Sequence, residues 1–121
     1  MASAFSHAVV AVAMGRAFRN EELRWRELVL GAFCSVLPDL DVIGFPLGIL
    51  YGDLWGHRGL THSVLFAALL AGILVALWYR GKPAIAMTGL YFYFFLCTAS
   101  HGVLDAMTDG GLGVAFFSPF D

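Results

Sequence analysis

Residues 63–79 read SVLFAALLAGILVALWY, a run with no charged side chain. Taken from Thr61 to Tyr79, the stretch meets the length that spanning requires, since about 20 apolar residues at about 1.5 Å each cross the hydrocarbon of a bilayer. A second stretch, from Ala84 to Leu104, meets it as well. A shorter one runs from Ser3 to Phe18 and fits a tilted or partly embedded helix. The stretch from Leu28 to Tyr51 is apolar up to Leu37, is broken by Pro38-Asp39-Leu40-Asp41, and then becomes apolar again. Pro38 lacks an amide hydrogen, and Gly44, Pro46 and Gly48 follow closely, so a helix over 26–37 is predicted to give way to a shorter or irregular segment. Irregular backbone at membrane depth survives where it is buried in protein or lines a wet cavity. The chain therefore reads as all-α: a single integral-membrane helical bundle over 1–121 with about four apolar helices.

Composition agrees. The 121 residues are 60% hydrophobic and 13% charged, with a net charge of −2. Average chains are about 45–50% apolar and about 25% charged. The acidic balance, with no basic stripe carrying interleaved aromatics, argues against nucleic acid as a partner. Cys34 and Cys97 lie inside apolar runs, match no CxxC pattern, and read as small buried hydrophobes. The apolar run from Ala8 to Met14 has the length of a signal-peptide core. No Lys or Arg precedes it and Arg16 follows it, which is the charge order of a first membrane helix rather than a cleaved secretory signal.

Six of the seven Lys and Arg residues fall in two places, Arg16, Arg19, Arg24 and Arg26 in one and Arg80 and Lys82 in the other. Four alternating spans put both connections on one side, and the positive-inside rule makes that side cytoplasmic. The N-terminus, the loop 52–60 and the end of the fourth helix then share the extracytoplasmic face. All four histidines, His7, His57, His62 and His101, converge there.

The polar residues on that face form three groups. Gly56-His57-Arg58-Gly59-Leu60-Thr61-His62-Ser63 is the densest. On a regular helix His57 and His62 would point roughly 140° apart. They converge if His57 lies in the glycine-flanked loop and His62 in the first turn of the third helix, with Thr61 or Ser63 as its cap. Neutral imidazole is the commonest protein metal ligand, and Arg58 suits an anionic phosphate or a buried carboxylate. His101 and Asp105, at i and i+4, share a helix face in ligand-pair geometry, and Asp109 extends that face if the helix persists. Asp39 and Asp41 place two carboxylates in an apolar segment, where they repel unless a cation or proton separates them. Each group also has a plain alternative: an interfacial polar loop, an i,i+4 hydrogen bond at a helix end, and Asp39 as a helix cap. His7 alone reads as a core histidine and joins the others only through the topology.

The remaining features look structural. Tyr91, Phe92, Tyr93, Phe94 and Phe95 form a lipid-facing or packing run, and Trp78 and Tyr79 suit the interfacial belt beside Arg80. Gly110-Gly111-Leu112-Gly113 lacks the ending of a phosphate loop, and no GxSxG elbow is present.

Ser6-His7, Leu37-Pro38-Asp39-Leu40-Asp41, His57-Arg58-Gly59-Leu60-Thr61-His62-Ser63 and Ser100-His101-Gly102-Val103-Leu104-Asp105, in this order, resemble the bacterial inner-membrane family of metal-dependent hydrolases of the YdjM type. The match covers nearly the whole chain, and the HRGxTHS motif is its most specific part. That family is in turn similar to the zinc-dependent phospholipase C and P1 nuclease group, all-helical enzymes that hold metal ions with histidines and aspartates. The resemblance implies His7, Asp39 or Asp41, His57, His62, His101 and Asp105 as metal ligands. The chain has fewer histidines than the phospholipase C group uses, which implies one or two ions rather than three. It stops at Asp121, where family members commonly continue into further apolar sequence, and a chain short at this end would lack a ligand or a lid.

The leading functional expectation is a multi-pass inner-membrane hydrolase of a phosphoester or phospholipid. It would use zinc, manganese or iron, with whichever of Asp39 and Asp41 is not a ligand as general base and Arg58 neutralising the non-bridging oxygens. The alternatives are a non-enzymatic membrane protein with a structural metal or polar-network site, and a small transporter or proton-relay component.

Overall fold

A computed structural model of the protein describes residues 2–18, 21–108 and 113–120. Among them there are four α-helices and no strand: α1 Ala4–Ala17, α2 Trp25–Val36, α3 Val64–Trp78 and α4 Ala84–Ala106. A 3-10 segment, Leu37–Leu47, continues α2, and a 3-10 turn, Leu60–His62, leads into α3.

The helix starts follow from local chemistry. The Ser3 side chain accepts from the Ser6 N–H at 3.2 Å and caps α1. Ser63 does the same for α3, accepting from the Phe66 N–H at 3.1 Å. Ser63 rather than Thr61 is thus the cap, and α3 is shorter than the apolar run suggests. The run that starts at Thr61 spends its first residues on the turn that carries His62. The lengths able to span are Trp25–Leu47 and Ala84–Ala106, at 23 residues each, with α1 and α3 as shorter apolar helices.

Pro38 sits in the first turn of the 3-10 segment, where its missing N–H would leave a gap in an α-helical ladder. The chain tightens instead, and stays tight for 11 residues until Gly48, at φ 83°, reverses it. Such segments seldom run beyond 3–4 residues, and a long one often marks a functional position. Asp39 lies inside this segment and caps no helix, which corrects the capping alternative.

The bundle has an apolar core, Leu28, Leu74, Leu90 and Phe94 among it, and apolar stripes on its outside as well. The outward stripe of α2 is Trp25, Val29 and Phe33, and that of α3 is Leu69, Ile73 and Leu77, all exposed at i,i+4 spacing. Polar and small residues face inward: Glu27, Gly31 and Ser35 on α2 are buried. Apolar faces turned outward are what a lipid environment accommodates, and small residues let helices approach.

α4 packs against α1, α2 and α3. Its fully buried Tyr93 reaches between α1 and α2, where the hydroxyl donates to Ala11 O at 3.1 Å. Glycine is required at Gly31, where an added Cβ would collide with the Tyr93 hydroxyl. The aromatic run divides accordingly, with Tyr93 and Phe94 buried and Phe92 exposed. Cys34 and Cys97 are buried and unpaired, as expected of small hydrophobes.

The two basic connections meet at one end of the bundle, where Lys82 Nζ lies 2.6 Å from Glu22 Oε2. Beside them Tyr79 is buried and donates to Glu27 Oε1 at 3.0 Å, so Tyr79 is a packing residue and does not join Trp78 in an interfacial belt. Burial pushes the Tyr79 hydroxyl up to about 12, and the Glu27 carboxylate adds to the shift.

Candidate metal centre

At the opposite end, five segments bring their polar side chains to one place. His7 comes from the first turn of α1, and Asp39 and Asp41 from the 3-10 segment. His57 and Arg58 come from the loop, His62 from the 3-10 turn, and His101 and Asp105 from the last two turns of α4. Close backbone approach makes this convergence possible. A Cβ at Gly102 would stand 3.0 Å from His62 O, so the glycine beside His101 lets the His62 turn settle against α4. In the loop, a Cβ at Gly59 would meet Leu54 O at 2.6 Å. Arg58 itself takes φ 67°, in the left-handed region that non-glycine residues seldom occupy. Its N–H donates to Asp41 Oδ2 at 3.3 Å and its carbonyl accepts from Ala115 N at 3.1 Å, so both peptide groups hold the residue in that conformation.

The inner shell is buried. His7, His62, His101 and Asp105 have side chains 0–1% exposed, and Asp39 is 27% exposed. His62 Nε2 and His101 Nε2 lie 3.0 Å apart. Asp105 Oδ2 is 3.5 Å from each of them. Asp39 Oδ1 is 3.2 Å from His101 Nε2 and 4.0 Å from His62 Nε2. These four donors form one group, with all the atoms within 4.8 Å of one another. His7 stacks on His101 with ring centroids 3.8 Å apart, and its Nε2 lies 3.4 Å from Asp105 Oδ1.

The tautomers follow from the partners. His101 Nδ1 is 2.6 Å from the Ser35 carbonyl, which only accepts, so Nδ1 carries the proton and Nε2 the lone pair. Thr61 Oγ1 gives its proton to Asp41 Oδ2 at 2.7 Å and offers a lone pair to His62 Nδ1 at 3.2 Å. His62 Nδ1 also lies 3.2 Å from Asp41 Oδ2, so it too is the protonated nitrogen. With both imidazoles neutral, their Nε2 lone pairs face each other at 3.0 Å, with Asp39 Oδ1 3.2 Å from His101 Nε2, an arrangement that a cation or an added proton must bridge. Neither oxygen of Asp105 has a hydrogen-bond partner among the described residues, and the same holds for both nitrogens of His7 and for Arg58 Nε. Buried polar atoms left this way are rare and call for an ion or another partner.

The donor set fits a cation. Tetrahedral ligands at about 2.0–2.1 Å from zinc stand about 3.3 Å from one another, and the separations of the two imidazole nitrogens from each other and from the two carboxylates, 3.0 to 4.0 Å, bracket that value. His101 donates its second nitrogen to a carbonyl, and His62 donates to a hydroxyl and a carboxylate. Both are the outer partners that orient metal-binding histidines. The charge also suits a divalent ion: with neutral imidazoles, Asp39, Asp41 and Asp105 against Arg58 leave two negative charges to offset.

Asp41, His57 and His62 form a second possible group. Here His57 Nδ1 lies 2.6 Å from Asp41 Oδ1, a hydrogen-bond distance shorter than the spacing of two ligands on one ion. Both Asp41 oxygens are engaged, Oδ1 by His57 and Oδ2 by Thr61 and the Arg58 amide, and Asp41 is not one of the four donors of the quartet. Arg58 faces Asp105, with Nε 3.5 Å from Oδ2, and donates from a terminal nitrogen to Thr108 Oγ1 at 3.4 Å. Of the two partners foreseen for Arg58, it holds the buried carboxylate. Asp109 lies outside the described residues. Ser35 and Thr108 had no signal in the sequence, because one acts through its carbonyl and the other through a contact 50 positions away. A cavity of about 470 Å³ adjoins this network over His57 and Arg58, between Tyr51, Leu54, Val114 and Ser118.

The profile of the family described as YdjM inner membrane protein matches residues 1–121. The chain belongs to the YdjM family. It is 32% identical over 123 residues to inner membrane protein YbcI of Escherichia coli (strain K12), an alignment covering 99% of this chain and 69% of that protein. No solved structure matches. This YdjM-family chain is thus an inner-membrane protein, and the polar quartet lies within its helical bundle.

Proposed function

We propose that the chain is a metal-dependent hydrolase of a phosphoester, with one divalent ion, zinc first among zinc, manganese and iron, held by Asp39, His62, His101 and Asp105. The observation that carries this is the convergence of four donors, with His62 Nε2 and His101 Nε2 3.0 Å apart beside the buried Asp105 carboxylate, which has no hydrogen-bond partner among the described residues. A divalent ion held there would supply Lewis acidity, lowering the pKa of water towards about 7 and polarising a phosphoryl oxygen. The phosphoester class comes from the motif resemblance to the zinc-dependent phospholipase C and P1 nuclease group.

The protein's own groups take defined parts. Ser35 O and the Thr61–Asp41 pair hold the two imidazoles in the tautomer that presents Nε2. Arg58 offsets the charge of Asp105. Asp39, the one partly open donor, marks the side from which water and substrate approach, and Asp41, outside the quartet, is the carboxylate left for the general-base role. In the net reaction the water oxygen bonds to phosphorus, the ester P–O bond breaks, and the proton ends on the leaving oxygen. The basic end of the bundle faces the cytoplasm under the positive-inside rule, which directs the centre to the extracytoplasmic side.

Elemental analysis of the purified chain is expected to find one equivalent of metal, lost in His62→Ala and in Asp105→Ala. Metal unchanged in both variants refutes the site. A structural metal role is favoured by one feature: four protein donors close a tetrahedron, whereas catalytic sites keep a position open. It predicts full metal occupancy with no turnover across phosphomonoesters and phosphodiesters. For orientation, a cysteine placed at Asp53 is expected to react with a membrane-impermeant thiol reagent from outside the inner membrane.

A further inference from the structure

Building on the hydrolase assignment above, we propose that the substrate is a membrane-anchored phosphoester. Its phosphate reaches the centre from the bilayer, across the flank of the 3-10 segment, and not from bulk water.

The quartet is closed on every side but one. His62, His101 and Asp105 are 0–1% exposed and Asp39 is 27% exposed, so whatever meets the ion meets it at Asp39. The surface around that opening is apolar, since Leu40, Val42 and Ile43 are all exposed. These side chains continue the outward stripe of α2 formed by Trp25, Val29 and Phe33, on one spanning element, Trp25–Leu47. The opening therefore lies on the surface that faces lipid.

Depth agrees. At about 1.5 Å per α residue and about 2.0 Å per 3-10 residue, Asp39 lies roughly 23 Å along the element from Trp25. His101 lies roughly 26 Å along α4 from Ala84. With the basic end at one interface, a hydrocarbon layer of about 30 Å puts the centre just inside the far boundary, close to the headgroup phosphates of that leaflet. The cavity over His57 and Arg58 has none of Asp39, His62, His101 or Asp105 in its walls, so a group seated there touches Arg58 and not a donor of the quartet. A water-soluble ester would have to shed its hydration to cross the Leu40–Ile43 surface. A lipid already has its apolar chains there.

The test uses the full chain, metal-loaded, in proteoliposomes. Three substrates are compared: a diacyl glycerophospholipid, an isoprenoid diphosphate, and a water-soluble ester with the same headgroup and no acyl chains. Either lipid arm is expected to exceed the soluble ester by at least about 100-fold in kcat/KM, the upper scale of discrimination by apolar contact. The arm that responds identifies the lipid. The double variant Leu40→Asn, Ile43→Asn is expected to lower lipid turnover about tenfold, as loss of substrate binding does, with bound metal unchanged. Equal rates on the soluble ester and the lipids overturn the inference and leave the hydrolase assignment standing. Metal bound with no turnover of any substrate overturns the hydrolase assignment, and the inference falls with it.

Discussion

Replacing Asp41 with asparagine separates two roles for that residue. In the structure Asp41 accepts from His57 Nδ1 at 2.6 Å, Thr61 Oγ1 at 2.7 Å and the Arg58 amide at 3.3 Å. Asparagine keeps the size, loses one acceptor oxygen and gains an N–H₂ group that must face one of these donors. If it faces Thr61, the hydroxyl turns and presents its proton to His62 Nδ1. His62 is then driven to the other tautomer, with its proton on Nε2, in the middle of the quartet. Loss of such an outer partner costs about 10–100-fold in metal affinity, or about 1.4–2.7 kcal/mol. The assay is competition with a metal-binding dye on detergent-purified protein, with circular dichroism as the check on folding. Unchanged affinity refutes the orienting role. A loss as complete as that of His62→Ala shows that Asp41 binds the ion directly and that the Asp41–His57–His62 group is the site.

Other outcomes follow from the packing. Gly31→Ala is expected to destabilise the bundle by about 1–3 kcal/mol through overpacking against Tyr93; SDS-titration unfolding measures it. Adding Tyr93→Phe, which removes the nearest colliding atom, is expected to recover part of the loss. Tyr79→Phe removes a buried hydrogen bond to a carboxylate, worth about 1.5–3 kcal/mol. The folded hydroxyl titrates near 12, above its ordinary 10, so this stabilisation is complete below pH 10 and is lost as pH rises through 12. The variant lacks that alkaline slope. Lys82→Ala breaks a part-exposed ion pair and is expected to cost no more than about 1 kcal/mol, less at high salt. Metal content stays unchanged, because the pair lies at the far end of the bundle.

The extent to which the sequence foretold this molecule depends on the range of the interaction concerned. The helices, the break at Pro38 and the burial of both cysteines are local or compositional. An apolar run has one stable backbone solution in lipid, and proline cannot continue an α-helical ladder. The start of α3 lies at the later of its two candidate caps, Ser63, because Leu60–His62 forms a 3-10 turn that hydropathy does not distinguish from the helix. Tyr79 was placed in the interfacial belt because its partner Glu27 is 52 positions away.

The residues of the centre were all visible as polar types in an apolar chain, and the charge rule placed them at one end. Their division of labour was not visible. Asp39 and Asp41 are two residues apart and look equivalent in sequence. On the 3-10 segment one carboxylate joins the quartet and the other turns to Thr61 and His57. His57 and His62 look like a matched pair, yet only His62 presents a nitrogen to His101. Composition, apolar run length and the placement of Lys and Arg determine that this chain is a helical membrane bundle with its imidazoles and the Asp39, Asp41 and Asp105 carboxylates at one end. Only the tertiary structure decides which lone pairs point inward, because that depends on tautomers set by Ser35 O and Asp41 and on the close contact at Gly102, all made between segments distant in the chain.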